Sequence, residues 1–221
     1  GTPAVQIDGT IGCWARSKTP FVFENLNVRN MYLYDAAAMV TNCNIEFGSG
    51  QVGGLALLNF IGAIRDCRVA NCSGQFLPGG VYVADQLGDA VIPESQVDFI
   101  DCVVEGNTGS CPLPGCSGSA GVAIYSGVVN FTRTVIRNNN SGFGGLRSND
   151  AQLSLTDTTV CGNSTPGQII GAWTDNGGNT VIDECPEECP VDFNDDGSVD
   201  GGDLGFLLAA YSVTANDSLQ T

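Results

Sequence analysis

Apolar and polar positions alternate in short bursts along this 221-residue chain, and the bursts recur. Each begins with an apolar stretch, continues with Asp or Asn, then Cys or Thr, then valine or isoleucine, and ends on Asn. The clearest copies run from Phe99 through Asp101 and Cys102 to Asn107, from Phe131 through Thr134 to Asn139, and from Leu155 through Asp157 and Thr158 to Asn163. These three align without a gap. Looser copies run from Ile64 to Asn71, Val40 to Ile45 and Phe23 to Val28. The anchors Leu26, Cys43, Cys67, Cys102, Thr134 and Thr158 are 17, 24, 35, 32 and 24 residues apart. A second string, a small pair followed by a β-run, interleaves with the first at Gly53-Gly54, Gly79-Gly80, Ala120-Gly121 and Gly144-Gly145, and Ile169-Ile170 closes that series.

Each unit therefore carries two or more short period-two strands joined by Gly/Asn turns, whose residues tolerate left-handed backbone at corners. One such unit cannot bury its apolar face alone, whereas stacked units bury a continuous column. Unequal spacing then means that loops of different length, longest near 84–96 and 106–119, leave a constant coil. A β-sandwich instead requires hairpin turns of the Asn-Gly or Asp-Gly kind, which are scarce here. The expected fold is all-β, a parallel β-helix solenoid of about six coils over residues 1–183, followed by a Cys/Pro linker and a small C-terminal segment over 184–221. Over roughly residues 5–180 the pattern resembles right-handed parallel β-helices of the pectate-lyase-like superfamily. It resembles more closely the Gly-Gly-hydrophobic repeats of bacterial surface β-helix proteins.

Composition supports a turn-rich β protein: 43% of residues are hydrophobic, only 14% are charged, and 30 are glycine. The net charge of −16 is unevenly placed. Residues 1–147 hold eleven acids and all eight bases, while residues 148–221 hold thirteen acids and no base. That field excludes nucleic acid and anionic membrane surfaces as partners. The absence of histidine removes Ser-His-Asp and Cys-His catalysis, His-ligated zinc and the commonest neutral-pH general base. No apolar run approaches the roughly 20 residues of a membrane-spanning helix.

Ten cysteines point to an oxidising compartment. Together with the Gly1-Thr2-Pro3 start, which reads as a processed form, they predict a secreted or cell-surface protein, of bacterial origin by the resemblance. Glycosylation sequons begin at Asn71, Asn130, Asn139, Asn163 and Asn216. Cys43, Cys67 and Cys102 share one repeat position, so neighbouring coils place them about 5 Å apart. That distance suits either disulfides or an inward column of small apolar thiols, and Thr134 and Thr158 at the same position favour packing. A local bridge is expected between Cys111 and Cys116, and Cys161, Cys185 and Cys189 are placed to staple the last coil to the C-terminal segment. With no histidine and no second close pair, the Cys185/Cys189 spacing does not define a zinc site.

The sharpest motif is Asp192-Phe-Asn194-Asp-Asp196-Gly197-Ser198-Val-Asp200-Gly-Gly-Asp203. It matches a twelve-residue calcium loop, with oxygens at positions 1, 3, 5, 9 and 12, glycine at 6 and the Ser198 carbonyl at 7. The following run Leu204–Tyr211 is long enough for a short helix. A cysteine-proline segment in place of an entering helix, and aspartate at position 12, resemble the calcium repeat of type I dockerins over about 189–212. The resemblance implies Ca2+ held by Asp192, Asn194, Asp196, Ser198, Asp200 and Asp203. Cohesin-binding dockerins carry two such repeats and this chain has one, so the cohesin partner does not transfer.

Three functions compete. Lyases of the pectate-lyase-like family abstract a proton with arginine or lysine, and here only Lys18 and seven arginines are available, with Arg65/Arg68 and Arg133/Arg137 read as solvated face residues. The related hydrolases need a histidine motif, and the loose acid pair Asp98/Asp101 does not replace it. A carbohydrate-binding adhesin would use Trp14, Trp173, Tyr32, Tyr34, Tyr82 and Tyr125 to stack on sugars. The preferred expectation is a non-catalytic, secreted bacterial surface or fibre subunit. In it calcium orders the C-terminal segment for capping or for head-to-tail self-association into a homo-oligomer or filament.

Overall fold

The computed structural model describes residues 5–7, 9–85, 94–110, 121–140, 144–164 and 167–186, with the side chains of 5, 6 and 14–18 also outside the description. The described residues are all-β, and every strand pairing among them is parallel. One sheet has eight short strands: Val5–Gln6, Leu26–Val28, Asn44–Glu46, Arg68–Ala70, Val103–Glu105, Val135–Arg137, Thr159–Cys161 and Thr180–Ile182. They lie side by side in chain order. A parallel neighbour needs a crossover connection, and here each crossover contains one or two strands of a second, 11-stranded sheet, while Ser49–Gly50, Ser73–Gly74 and Thr108–Gly109 form a small third sheet. The result is solenoid-like.

In the second sheet the chain first forms long strands, Thr10–Glu24, Asn30–Thr41 and Leu55–Arg65. Later coils divide that span in two. Val81–Ala84 continues the start of Leu55–Arg65, with Val81 opposite Leu55, and Gln96–Ile100 continues its end, with Gln96 opposite Ile61. The small-pair strings set this register: Leu55, Val81, Val122, Leu146 and Ile169 stand in one column. A Cβ on Gly80 or Gly121 would collide with the backbone carbonyl of Gly121 or Gly145 in the next coil, so only glycine lets these coils approach.

Two corners explain the first string. At one, Asn25, Asn42, Asp66, Asp101, Arg133 and Asp157 have φ of 46–56°. Asn and Asp adopt this left-handed conformation at low cost because their short side chains hydrogen-bond locally. The next residue turns inward, and its backbone N–H reaches the side chain one coil further on. Cys43 N donates to Cys67 Sγ (3.4 Å), Cys102 N to Thr134 Oγ1 (3.4 Å), Thr134 N to Thr158 Oγ1 (3.4 Å) and Thr158 N to Asn179 Oδ1 (2.9 Å). At the second corner Phe47, Asn71, Gly106, Asn138 and Gly162 have φ of 53–62°.

Beyond the second corner the final Asn of the three clearest strings builds a buried ladder, whereas Asn71 of the Ile64 copy is itself the exposed corner residue and Cys72 takes the inward slot. Asn139 Oδ1 accepts from the N–H (3.0 Å) and Nδ2 (2.9 Å) of Asn107, while Asn139 Nδ2 donates to Val104 O (3.0 Å) and Asn163 Oδ1 (2.9 Å). Asn163 repeats the pattern onto Gln168, and Asn107 passes it back to Cys72 N. Between the ladders runs the apolar column of Ile45, Val69, Val104, Ile136 and Val160, each at most 2% exposed, beside Phe99 stacked on Phe131 at 4.7 Å.

Candidate functional site

Asp192, Asn194, Asp196, Ser198, Asp200 and Asp203 all lie outside the described residues, as do Leu204–Tyr211, Cys111, Cys116 and Cys189. Among the described residues no group of three or more Cys, Asp or Glu side chains is arranged to hold a metal ion. The thiol column is resolved in favour of packing: Cys43, Cys67 and Cys102 are buried free thiols. They donate to carbonyls of their own and the preceding coil, as Cys102 does to Ile100 O and Ile64 O at 3.3 Å. Burial pushes Cys102 and Cys72 up to about 11, and the neighbouring Cys67 lowers the Cys43 thiol. Cys161 and Cys185 form a disulfide that ties the chain after the last strand to the preceding coil.

The outer face of the long sheet carries the candidate site. A half-open groove of about 730 Å³ is floored by Ala37, Ala38, Gly62 and Ala63 and rimmed by Met39, Ile61, Gln96, Asp98, Val128 and Asn130. A second hollow of about 390 Å³ shares Val128 and Asn130 and continues to Gln152, Ser154, Trp173 and Thr174. Strand register explains the shared line: Asp98 stands opposite Asn130, Asn130 opposite Ser154, and Ser154 opposite Thr174. The side chains join across coils, Asn130 Nδ2 donating to Asp98 Oδ1 (2.8 Å) and Ser154 Oγ donating to Asn130 Oδ1 (2.6 Å). Neighbouring parallel strands lie about 4.8 Å apart, so the line presents equivalent polar groups at that interval along the stack.

Beyond a bend at Asp35 and Asn59, where φ is 47° at both, the same outer face carries an aromatic shelf. Tyr32 and Tyr34 lie 6.5 Å apart and Tyr82 and Tyr125 lie 5.5 Å apart, all four half-buried. Tyr32, Tyr34 and Tyr82 pack, with Leu77, around Val52, Ala56 and Leu58 as a second, smaller apolar cluster. Burial, then the neighbouring tyrosine, raises the Tyr32 and Tyr82 hydroxyls above their ordinary range. Trp173 is half-buried, lines the second hollow and packs against the main core.

The arginine pairs separate. Arg133 holds Asp101 through Nε (2.6 Å) and Nη2 (2.7 Å), and this exposed contact lowers the Asp101 carboxyl. Glu105 takes Arg68 Nε at 2.8 Å and Arg137 Nε at 2.7 Å, and Arg68 also contacts Glu46. Burial pushes Glu105 up, but the two guanidiniums outweigh it and leave its carboxyl below the usual range. Asp98 and Asp101 are not an acid pair: one is bonded to Asn130 in the groove and the other to Arg133 at the corner. Two sequons are closed to modification in this fold, since Asn139 and Asn163 are 1% and 6% exposed and their Nδ2 groups are used within the ladder.

Fold and groove together define an all-β, solenoid-like protein with an axial surface groove. Comparison with protein-family models, curated proteins and solved structures finds no match to this chain.

Proposed function

We propose that this chain is a right-handed parallel β-helix acting as a non-catalytic, secreted bacterial surface module that holds an extended neutral carbohydrate in its axial groove. The observation carrying the reading is the line Asp98, Asn130 and Ser154, joined by hydrogen bonds across three coils. Sugar hydroxyls both donate and accept, and a row of amide, hydroxyl and carboxylate groups at a fixed interval offers both to a chain-like ligand. Trp173 beside the row supplies an apolar face. The chain's −16 charge disfavours acidic polysaccharides. Among the described residues the groove lining includes no lysine or arginine. Arg68, Arg133 and Arg137 are already paired with Glu105 and Asp101, which supports binding over proton abstraction.

In the same proposal Asp192, Asn194, Asp196, Asp200 and Asp203, with the Ser198 carbonyl, hold Ca2+ as the dockerin-like loop implies, and the ion offsets the local acidic charge and orders the C-terminal segment. Calorimetry of the intact chain with calcium, before and after Asp192→Ala, tests that part; equal heats for the two proteins refute it. Binding of neutral and uronate oligosaccharides to the intact chain tests the groove. Retention of a neutral glycan that Asn130→Ala abolishes supports it. Release of reducing or unsaturated ends from any polysaccharide overturns the non-catalytic reading.

A further inference from the structure

The last strand of the eight-stranded sheet is built like a middle one. Thr180, Val181 and Ile182 pair with Thr159, Val160 and Cys161 on one side, and on the other side they have no strand partner among the described residues. Val181 occupies the column in which Ile136 and Val160 are 0% exposed, yet it is 38% exposed, and Ile182 beside it is 39% exposed. An open strand edge with core-type side chains is a ready template for another strand.

We propose that this edge docks a second copy of the chain, whose Val5–Gln6 strand adds as the next parallel rung and continues the stack head to tail. Three observations select this occupant. The contact repeats an interface already present seven times within the sheet, in the same strand sense. Val5–Gln6 is the opposite terminal strand of that sheet, and near it Ile7, Ile11, Phe23 and Leu26 are only partly buried against the core. The charges are complementary: residues 5–29 contain Arg16, Lys18 and Arg29 against Asp8 and Glu24, whereas residues 167–186 contain Asp175, Asp183 and Glu184 and no base. A contact between unlike ends is heterologous, and where its rotation does not close it yields open filaments. The inference does not depend on the groove or on calcium.

Sedimentation velocity of the full chain across a concentration series, at low and high salt, is the test. Mass is expected to rise with concentration and to fall with salt. Val181→Asp puts a charge into the proposed contact at a residue already exposed, and is expected to weaken association roughly 100-fold. Ile7 N–H donates inward to Asn27 O, so the alternate residue Gln6 directs its N–H to the open side, and Gln6→Pro, which removes that donor at the other end, is expected to do the same. Each variant is checked for unchanged β-sheet circular dichroism. Mixing the two variants is the decisive arm, because each keeps one intact end and the mixture is expected to form dimers that neither forms alone. A wild-type chain that stays monomeric, including one whose Thr180–Ile182 amides are protected by its own C-terminal segment, overturns the proposal. So does an oligomer unaffected by either substitution.

Discussion

The coils up to Arg65 and the coils after Ser95 are built on one repeat and solve it differently. In the earlier coils a single strand such as Leu55–Arg65 spans the whole outer face, the inward corner position is filled by Cys43 and Cys67, and the groove floor is Ala37, Ala38, Gly62 and Ala63. In the later coils the span is split into two strands, and the corner position passes from Cys102 to Thr134 and Thr158. There an asparagine ladder runs through the core, and the groove line is polar. Splitting the strand opens the bend for insertions without disturbing either ladder. The coil is therefore held by its corners, and the face between them is free to vary.

The largest expected effect comes from the ladders. Asn139→Ala removes partners from Asn107, Val104 and Asn163 in the interior. Each buried group left unsatisfied costs about 1–3 kcal/mol, so the substitution is expected to destabilise by about 3 kcal/mol or more. Cys67→Ala in the earlier coils loses a small thiol with weak hydrogen bonds and is expected to cost about 1 kcal/mol. Urea unfolding of both variants decides it, and equal losses would show that the two halves are not held differently.

Next comes the disulfide. Cys161–Cys185 closes a span of 24 residues, for which chain entropy gives about 3 kcal/mol. Reduction is expected to raise hydrogen exchange at Thr159–Cys161 and Thr180–Ile182 while leaving Asn44–Glu46 protected. Uniform loosening along the stack would contradict a contribution confined to the last coils.

The smallest effect concerns Glu105, which joins the halves by binding Arg68 on one side and Arg137 on the other. Its carboxyl is held below the ordinary value of 4.5. The stabilisation is therefore complete above that pH and is lost as pH falls through the lowered value. Partial exposure limits it to about 1 kcal/mol. Glu105→Gln should flatten the acid limb of stability against pH below 4.5; an unchanged limb would remove Glu105 from the account.

Much of the coil was legible because its corners demand particular residues. Asp66, Asp101 and Asp157 mark left-handed backbone, and Cys67, Cys102 and Thr158 after them mark the inward turn, so the six anchors fall in register as the string predicts. Two further rungs escaped. Val5–Gln6 has no string, and before Thr180–Ile182 the corner is made by Gly177 and Gly178, with Asn179 in the inward slot. The closing asparagines were visible as a recurring letter, but whether they face solvent or core depends on the second corner, which is occupied by Phe47, by Asn71 and Asn138, and by Gly106 and Gly162, with no single residue type to mark it. The groove was hidden for another reason. Asp98, Asn130 and Ser154 lie 32 and 24 residues apart and meet only through strand register, whereas the neighbour visible in sequence, Asp101, belongs to a different face.

Calorimetric titration of the intact chain with a neutral oligosaccharide, compared with its Asn130→Ala variant, tests the central claim most directly. The account predicts saturable binding by the native chain and a loss of about 10-fold or more on removing the amide that joins Asp98 to Ser154, with circular dichroism unchanged. Identical titration curves for the two proteins, or binding retained at full strength by the variant, would contradict it.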